Sequence, residues 1–471
     1  MSEQLKVALA AIVGEENVSD RQVDRLCYSR DCGPDPAGIP AAVVRPASTD
    51  EVAAIVQWAN EHGHTVFTRG RGTTFLGSGV REGVVLIDMT RMNRIFRIDV
   101  DAGYVDVEGG AIWHGVDADL RRLGWELAVP GGGGLFSCTI GGTVAVNAIP
   151  HGATEYGMTG DHVLSLEVVT GAGEILRTGS AANPNSEPIE RGANGPDLAG
   201  LFIGSYGVLG IITRVVYRIR RVPESELYRF YAFDDYRCSI DAAAGIQGRG
   251  AATFIVGMYG GPKPAGEEGD GFLHLIVRDR SGTAAVRMRE AEAICESHRG
   301  RPCSAHGTQH YWEEHMYSWL RNTPPGPYYS DRPFFCPEVA GFVSTQGLKA
   351  AVDLFRTMKK EREEEFAKFG IRVKGLDAYY SRNGAYLWID TLYDERRDDA
   401  WAYGMQLRSE LAERMFTDGR MSPGGLGAGI APHIMPKLGT ARDAFSALKK
   451  TFDPKGVLNP GLLIDDKGMN R

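Results

Sequence analysis

Residues 68–79 read TRGRGTTFLGSG, four glycines and two arginines directly behind the apolar run HTVF at 64–67. Glycine lets backbone N–H groups approach a ligand with no Cβ in the way, and several converging N–H groups form a concave anion site. With Arg69 or Arg71 at its side, such a loop suits a diphosphate. The two commonest phosphate fingerprints do not fit it. G-x-G-x-x-G takes Gly70 and Gly72 but meets Phe75 at the third glycine, and G-x-x-x-x-G-K-[ST] takes Gly72 and Gly77 but meets Ser78 at the lysine. A second glycine-rich stretch, VPGGGGLFSCTIGGTVAVNA, occupies 129–148.

The elements around these loops alternate in type. Residues 48–62, STDEVAAIVQWANEH, open on Ser48 and Glu51 in capping-box spacing, set Val52, Ile55, Val56 and Ala59 on one helical face, and stop at Gly63. Strands are expected at HTVFT, at GVVLID (83–88), at YVDVEGG (104–110), at VLSLEVVT and in the β-branched run ending near Ile219, with a further helix from Trp113 to Leu123. Interleaved in this way they describe a mixed α+β domain. From about Pro223 the paired glycine loops stop, and tyrosine, tryptophan and long charged helices take over. There LFRTMKKEREEEFAKF (354–369) is expected to form one helix, its charge run a solvated face ended by Gly370. The chain closes with a short amphipathic helix, AFSALKKTF, and then DPKGVLNPG, whose prolines and glycines fix an irregular loop.

Composition narrows the function classes. A chain of 471 residues buries enough surface for two or three domains without metal or disulfide staples. With 52 basic against 60 acidic residues and no dense Lys/Arg block, nucleic acid is not an expected partner. The opening residues MSEQLKVALAAIVGEENVSD lack a basic start and a small-residue cleavage site, so they read as an amphipathic helix. No apolar run reaches spanning length, and the expectation is a soluble, cytoplasmic protein with no membrane span. Seven scattered cysteines without C-x-x-C spacing read as reduced thiols, not cluster or zinc ligands.

Several segments together carry a family resemblance: RPASTDEVAAIVQWANEHGHTVFTRGRGTTFLGSG, SCTIGGTVAVNA, YGMTGDHVLSLEVVTGAGEILRTG, LFIGSYGVLGIIT and FDPKGVLNPG. In order and wording they resemble FAD-binding flavoproteins of the vanillyl-alcohol-oxidase/p-cresol-methylhydroxylase type, and within it most of all the D-lactate dehydrogenase/glycolate oxidase FAD subunit group. The resemblance runs from about Ala41 to Val222 and resumes near Thr451. It implies an α+β fold, a two-subdomain FAD-binding domain (1–222) with an α+β cap domain (223–430) and a C-terminal segment (431–471) returning to the FAD domain. It sets Gly70, Arg71, Gly72, Thr73 and Thr74 against the FAD diphosphate. Cys138, Thr139, Gly141, Gly142 and Thr143 are implied along diphosphate and flavin, Gly210 and Ile212 near the adenine end, and Asn459 near the flavin. Some members tether the flavin to a histidine in the first loop; the corresponding residue here is Thr73, so noncovalent FAD is expected.

The cap departs from both known branches. The H-x-G-D-G-N-x-H stretch of the hydroxy-acid enzymes becomes YYSRNGAYLWID (379–390), which keeps Asn383 and Gly384 but neither metal-binding histidine. Their G-E-H-G run becomes SPGGLGAG (422–429). The V-P-D-L-G-G-G run of the aromatic-alcohol branch becomes VPGGGG (129–134), although Tyr156 in YGMTGDH is shared with it. His306 and His310 stand one helical turn apart in HGTQHYWEEH, but Gly307 separates them and the adjoining YWEEHMYSWL reads as an amphipathic helix, so no metal is expected.

A flavin enzyme must still supply a base for the substrate hydroxyl and groups that orient the substrate. His433 in GIAPHIMPKLG and His151 in NAIPHGATEYG are the candidate bases, and Tyr156, Tyr380 and Arg382, beside Tyr379, are candidates to hold a carboxylate or phenolate. The expected reaction is dehydrogenation of a CH–OH carbon, in a 2-hydroxy acid or related alcohol, by hydride transfer to flavin N5, with an electron-accepting protein as a partner. Oxidation of a para-substituted phenol, or a noncatalytic FAD-carrying subunit, stays open as an alternative.

Overall fold

The computed structural model describes residues 2–31, 33, 38–74, 79–128, 137–261, 263–264, 266–309, 312, 334–335, 339–394, 396–424 and 430–464. They form two compact units. One comprises Met1–Ala148, Thr159–Arg221 and Leu426–Arg471; the other comprises Ile149–Met158 and Val222–Gly425. The sequence-based division sets its boundaries at 222/223 and 430/431, where the units part at 221/222 and 425/426, and lacks the ten-residue excursion Ile149–Met158.

The first unit has two sheets. In the four-stranded sheet, Val18–Ser19 pairs antiparallel with Ala42–Val44, and Ala42–Val44, Val85–Asp88 and Val66–Arg69 run parallel. Helices Ser2–Val13 and Thr49–His62 bury Leu5, Leu9, Val52, Ile55, Val56 and Ala59 in one core with Val66, Val85 and Ile87 of that sheet. Ser48 caps the helix as expected, its Oγ accepting Glu51 N at 3.2 Å; Glu51 reaches back one residue beyond the N-cap, accepting Ala47 N at 2.7 Å, and Gly63 ends the helix at φ 69°. The second sheet is antiparallel, in the order Ile95–Asp99, Tyr104–Glu108, Ile211–Arg221, Val163–Val169, Ile175–Arg177, with Trp125–Leu127 alongside the long central strand.

The second unit is built on an antiparallel sheet in the order Arg301–Cys303, Ser225–Phe233, Gly271–Asp279, Phe254–Tyr259, Arg372–Ser381, Gly384–Asp394, Val339–Val343, Ser422–Pro423. Antiparallel partners project from the same face. One row therefore runs Cys303, Phe230, His274, Val256, Tyr379, Tyr386, Phe342. The alternate residues, among them Tyr231, Tyr259 and Tyr380, face the side on which helices Tyr236–Arg249 and Ser281–Ser297 pack. The expected helix over 354–369 is two helices, Thr345–Glu361 and Glu363–Phe369, broken at Arg362 (φ −113°, ψ 15°). The charge order explains the break: Lys359 and Lys360 sit at the negative end of the first helix dipole and Glu363, Glu364 and Glu365 at the positive end of the second. Arg362 itself pairs with Glu410. Gly370 closes the second helix at φ 68°, as its position suggested. Among the described residues no helix is long and apolar enough to cross a membrane.

Candidate active site

The first loop leaves the strand Val66–Arg69, which is gripped on both sides. Val85–Asp88 supplies the parallel ladder, and the C-terminal segment supplies the other edge through a Val66–Leu458 bridge, Asn459 N to Val66 O at 2.9 Å, and Thr68 N to Asn459 Oδ1 at 2.8 Å. Asn459 Nδ2 then reaches Tyr206 O at 2.8 Å. Asn459 (φ 44°), Tyr206 (φ 55°) and Asn147 (φ 46°) are all left-handed non-glycine residues. Such conformations cost of order 1–3 kcal/mol each and persist where the surroundings over-determine them, which makes this corner a functional candidate in its own right.

The second loop is zipped to the strand end at Gly109–Ala111 by Ile140 N to Ala111 O, Gly141 N to Gly109 O and Trp113 N to Cys138 O. Thr139 caps the short helix Ile140–Ala145 by accepting Gly142 N at 3.2 Å, and Thr143 Oγ1 donates to Thr139 O at 2.8 Å. The two loops abut at Gly70, where a Cβ would collide with Thr139 Oγ1. The amides of Ile140, Gly141, Gly142 and Thr143 are thus used inside the chain. Those of Gly70, Arg71, Gly72 and Thr73 have no acceptor among the described residues, and the buried Thr68 Oγ1 has no hydrogen-bond partner. A ligand with several anionic oxygens fits this donor set. Arg71 is exposed at the loop, whereas the Arg69 guanidinium is spent on the carbonyls of Tyr28 and Arg30, against the expectation that either could face the ligand. Gly210 packs on the Phe202 ring and, with the buried Ile212, opens the central strand of the second sheet.

In the second unit, the excursion 149–158 is stitched into the sheet. Thr154 Oγ1 accepts Ile255 N at 3.1 Å and donates to Tyr380 O at 2.6 Å, bridging two strands where their ladder opens, and Glu155 N reaches Thr253 O at 3.2 Å. This delivers His151, 6% exposed, to the aromatic face, edge-on to Phe254 (5.5 Å), Trp312 (5.9 Å) and Tyr379 (6.2 Å). Phe254 and Tyr379 are themselves stacked at 5.6 Å. Trp312 is also approached by the buried Arg278, its Cζ 5.8 Å from the ring and its Nε on Glu226 Oε1 at 2.6 Å.

The other nominated residues are placed less favourably. Tyr380 lies on the helix-covered face, its hydroxyl 3.0 Å from that of Tyr259, and burial holds its pKa well above the usual tyrosine value. Arg382 donates to the carbonyls of Glu155 (3.2 Å) and Tyr156 (2.9 Å), so it clamps the end of the helix Ala153–Tyr156. Tyr156 is buried, and His433 is exposed on the short helix Ala431–Ile434. His306 is exposed, while His310 and His315 and residues 425–429 lie outside the described residues. Arg278, Trp312 and Phe254 carry no motif. Only the fold brings Phe254 and Trp312 to His151, and Arg278 to Trp312.

Comparison with known proteins fits the cradle in the first unit. The FAD binding domain family matches residues 40–179, the span that holds both glycine loops. Over almost its whole length the chain also superposes on the crystal structure of p-cresol methylhydroxylase with substrate bound, at TM-score 0.81 and 18% identity, covering 98% of this chain and 96% of that one. The chain is an FAD-dependent oxidoreductase with the fold of p-cresol methylhydroxylase. This flavoenzyme is 27% identical to the glycolate oxidase subunit GlcD of Bacillus subtilis over 490 residues, 98% of this chain and 97% of that one. It is 35% identical to a D-lactate dehydrogenase of Anaerostipes hadrus over 187 residues, 40% of this chain and 38% of the relative.

The residues of the flavoenzyme fit FAD without a tether. Thr73 has no nucleophilic nitrogen, and burial pushes the Cys138 thiol up to about 11, so it stays protonated near neutrality. Residues 75–78 (FLGS) and 129–136 (VPGGGGLF) contain no histidine, cysteine or tyrosine. Acid precipitation of the holoenzyme is therefore expected to leave a colourless pellet with all the flavin in the supernatant; a yellow pellet would contradict this.

Proposed function

We propose that the flavoenzyme dehydrogenates the CH–OH carbon of a 2-hydroxy acid. The observation that carries this reading is that the likeness to the glycolate oxidase subunit runs through both units, whereas that to the D-lactate dehydrogenase of Anaerostipes hadrus spans only 40% of the chain. Bound FAD supplies the hydride acceptor. The amides of Gly70–Thr73 hold its diphosphate, and Asn459 keeps the strand beneath that loop in place. In the second unit His151 receives the hydroxyl proton, and Arg278 supplies the positive charge for the carboxylate. Because neither family histidine of the metal-binding stretch is present, the carboxylate is held by protein groups alone. The relative is a subunit, which favours a separate protein as electron acceptor.

A second reading, oxidation of a para-substituted phenol, draws on the stacked Phe254–Tyr379 pair and its flanking rings. Anaerobic bleaching of the flavin absorbance against D- and L-2-hydroxy acids and para-alkylphenols separates the two. Bleaching by one enantiomeric series of hydroxy acids is expected. Bleaching by phenols alone would replace the first reading by the second.

A further inference from the structure

The two arginines of the first loop do different work. Arg69 donates from Nη1 to the carbonyls of Tyr28 at 3.0 Å and Arg30 at 2.6 Å, and its Cζ lies 5.4 Å from the centre of the Tyr28 ring. These carbonyls belong to the end of the helix Gln22–Ser29, where the last carbonyls lack intrahelical donors. The loop is laid over this guanidinium. Gly72 has φ +64°, and a Cβ there would stand 2.5 Å from Nη2 and 2.6 Å from Cζ of Arg69, so the arginine fills the space a side chain would take. Tyr28 closes the circuit: its hydroxyl donates to Asp88 Oδ2 at 2.5 Å, and Asp88 is the ladder partner of Arg69 on the neighbouring parallel strand. Asp88 Oδ1 in turn accepts Thr90 N at 2.8 Å, which fixes that carboxylate.

We infer that Arg69 is a positioning residue that shapes the first flavin loop over its guanidinium and couples it to the N-terminal segment 22–30. The inference rests on the first loop being the flavin loop. Whatever conformation of the loop FAD selects is the one braced by Tyr28 and Arg30, so FAD binding and the ordering of segment 22–30 favour each other, and linkage makes the coupling reciprocal. Positive charge alone does not suffice. A lysine ammonium is a point charge on a flexible stem; it could meet the two carbonyls that Nη1 holds but leaves no planar group to fill the space beneath Gly72.

The test begins with the wild-type protein stripped of FAD. Hydrogen exchange of the amides in 22–30 is expected to slow when FAD is added back; exchange that is indifferent to FAD overturns the coupling, and this measurement needs no variant to fold. FAD titration of Arg69→Lys and Arg69→Ala is expected to show binding weakened by about tenfold in both, within the usual span of coupling effects. Methylguanidinium, but not methylammonium, should restore most of the affinity of Arg69→Ala. Wild-type affinity in Arg69→Lys, or equal rescue by methylammonium, would reduce Arg69 to a simple source of charge and overturn the inference. Failure of the stripped wild-type protein to rebind FAD at all would instead strike the assignment of the loop itself.

Discussion

Replacing His151 by asparagine is expected to slow anaerobic flavin reduction by the substrate about 10²–10⁴-fold, the usual worth of a general base, while FAD stays bound. The retention of FAD follows from placement: the groups assigned to the cofactor belong to the first unit, and His151 belongs to the second. Among the candidate bases His151 has the setting that makes proton transfer productive. It is buried against three rings, and one of these, Trp312, is also approached by the cation Arg278. His433 is exposed, and His433→Asn is expected to change the rate less than about threefold, since a solvated group gives little oriented base catalysis. Stopped-flow bleaching of both variants checks the pair. A His151→Asn enzyme reduced at the wild-type rate would remove His151 from the mechanism.

The largest stability effect is expected at a buried ion pair near the C-terminus. Lys449 and Asp453 have side chains 1% and 0% exposed and lie 2.5 Å apart. The ammonium also donates to Val208 O at 2.9 Å and Leu458 O at 2.8 Å, and the carboxylate accepts Val457 N and Leu458 N, each at 2.8 Å. Asp453→Ala leaves a buried cation without its counter-ion, which typically costs about 3–5 kcal/mol. For a unit of this size that corresponds to a fall of about 6–20 °C in the midpoint of heat-induced flavin release. The change also reaches the first glycine loop, because Leu458 is itself bound by the pair and Asn459, which holds the strand ahead of that loop, directly follows it. Lys449→Met combined with Asp453→Ala should be less damaging than the sum of the single changes, since no lone charge remains. A single Asp453→Ala change that left the midpoint within a degree would refute this account.

What the sequence disclosed was local. Ser48, Glu51 and Gly63 announce the helix Thr49–His62 because capping chemistry acts over a few residues. The glycines at 70 and 141 point to a close approach, and the structure supplies their neighbours, Thr139 and Gly109. Long-range pairing was hidden. Arg69 reads as an anion receptor until its true acceptors, 41 and 39 positions upstream, are known. Tyr379 and Tyr380 are adjacent and chemically identical, yet strand alternation sends one to the aromatic face and the other to the helices, and only the register decides which. The break at Arg362 was legible in the charge order KKEREEE, had dipole complementarity been set against continuity of the helical pattern.

The excursion Ile149–Met158 leaves and re-enters the first unit at a single clasp. Thr159 N and Oγ1 both donate to Ala148 O, and Gly160 N donates to Asn147 Oδ1. The second unit is therefore not one insertion but two, a short one bringing a histidine and a long one bringing the sheet. Transplanting specificity between relatives would require exchanging both pieces in the same step. A chimera that swapped only 222–425 would mate a foreign sheet with a native Thr154, whose hydroxyl must find an amide and a carbonyl at the correct spacing. Mismatched splices should therefore yield proteins that still bind flavin yet reduce it poorly, and recombination within this family should favour crossovers that keep the two insertions together.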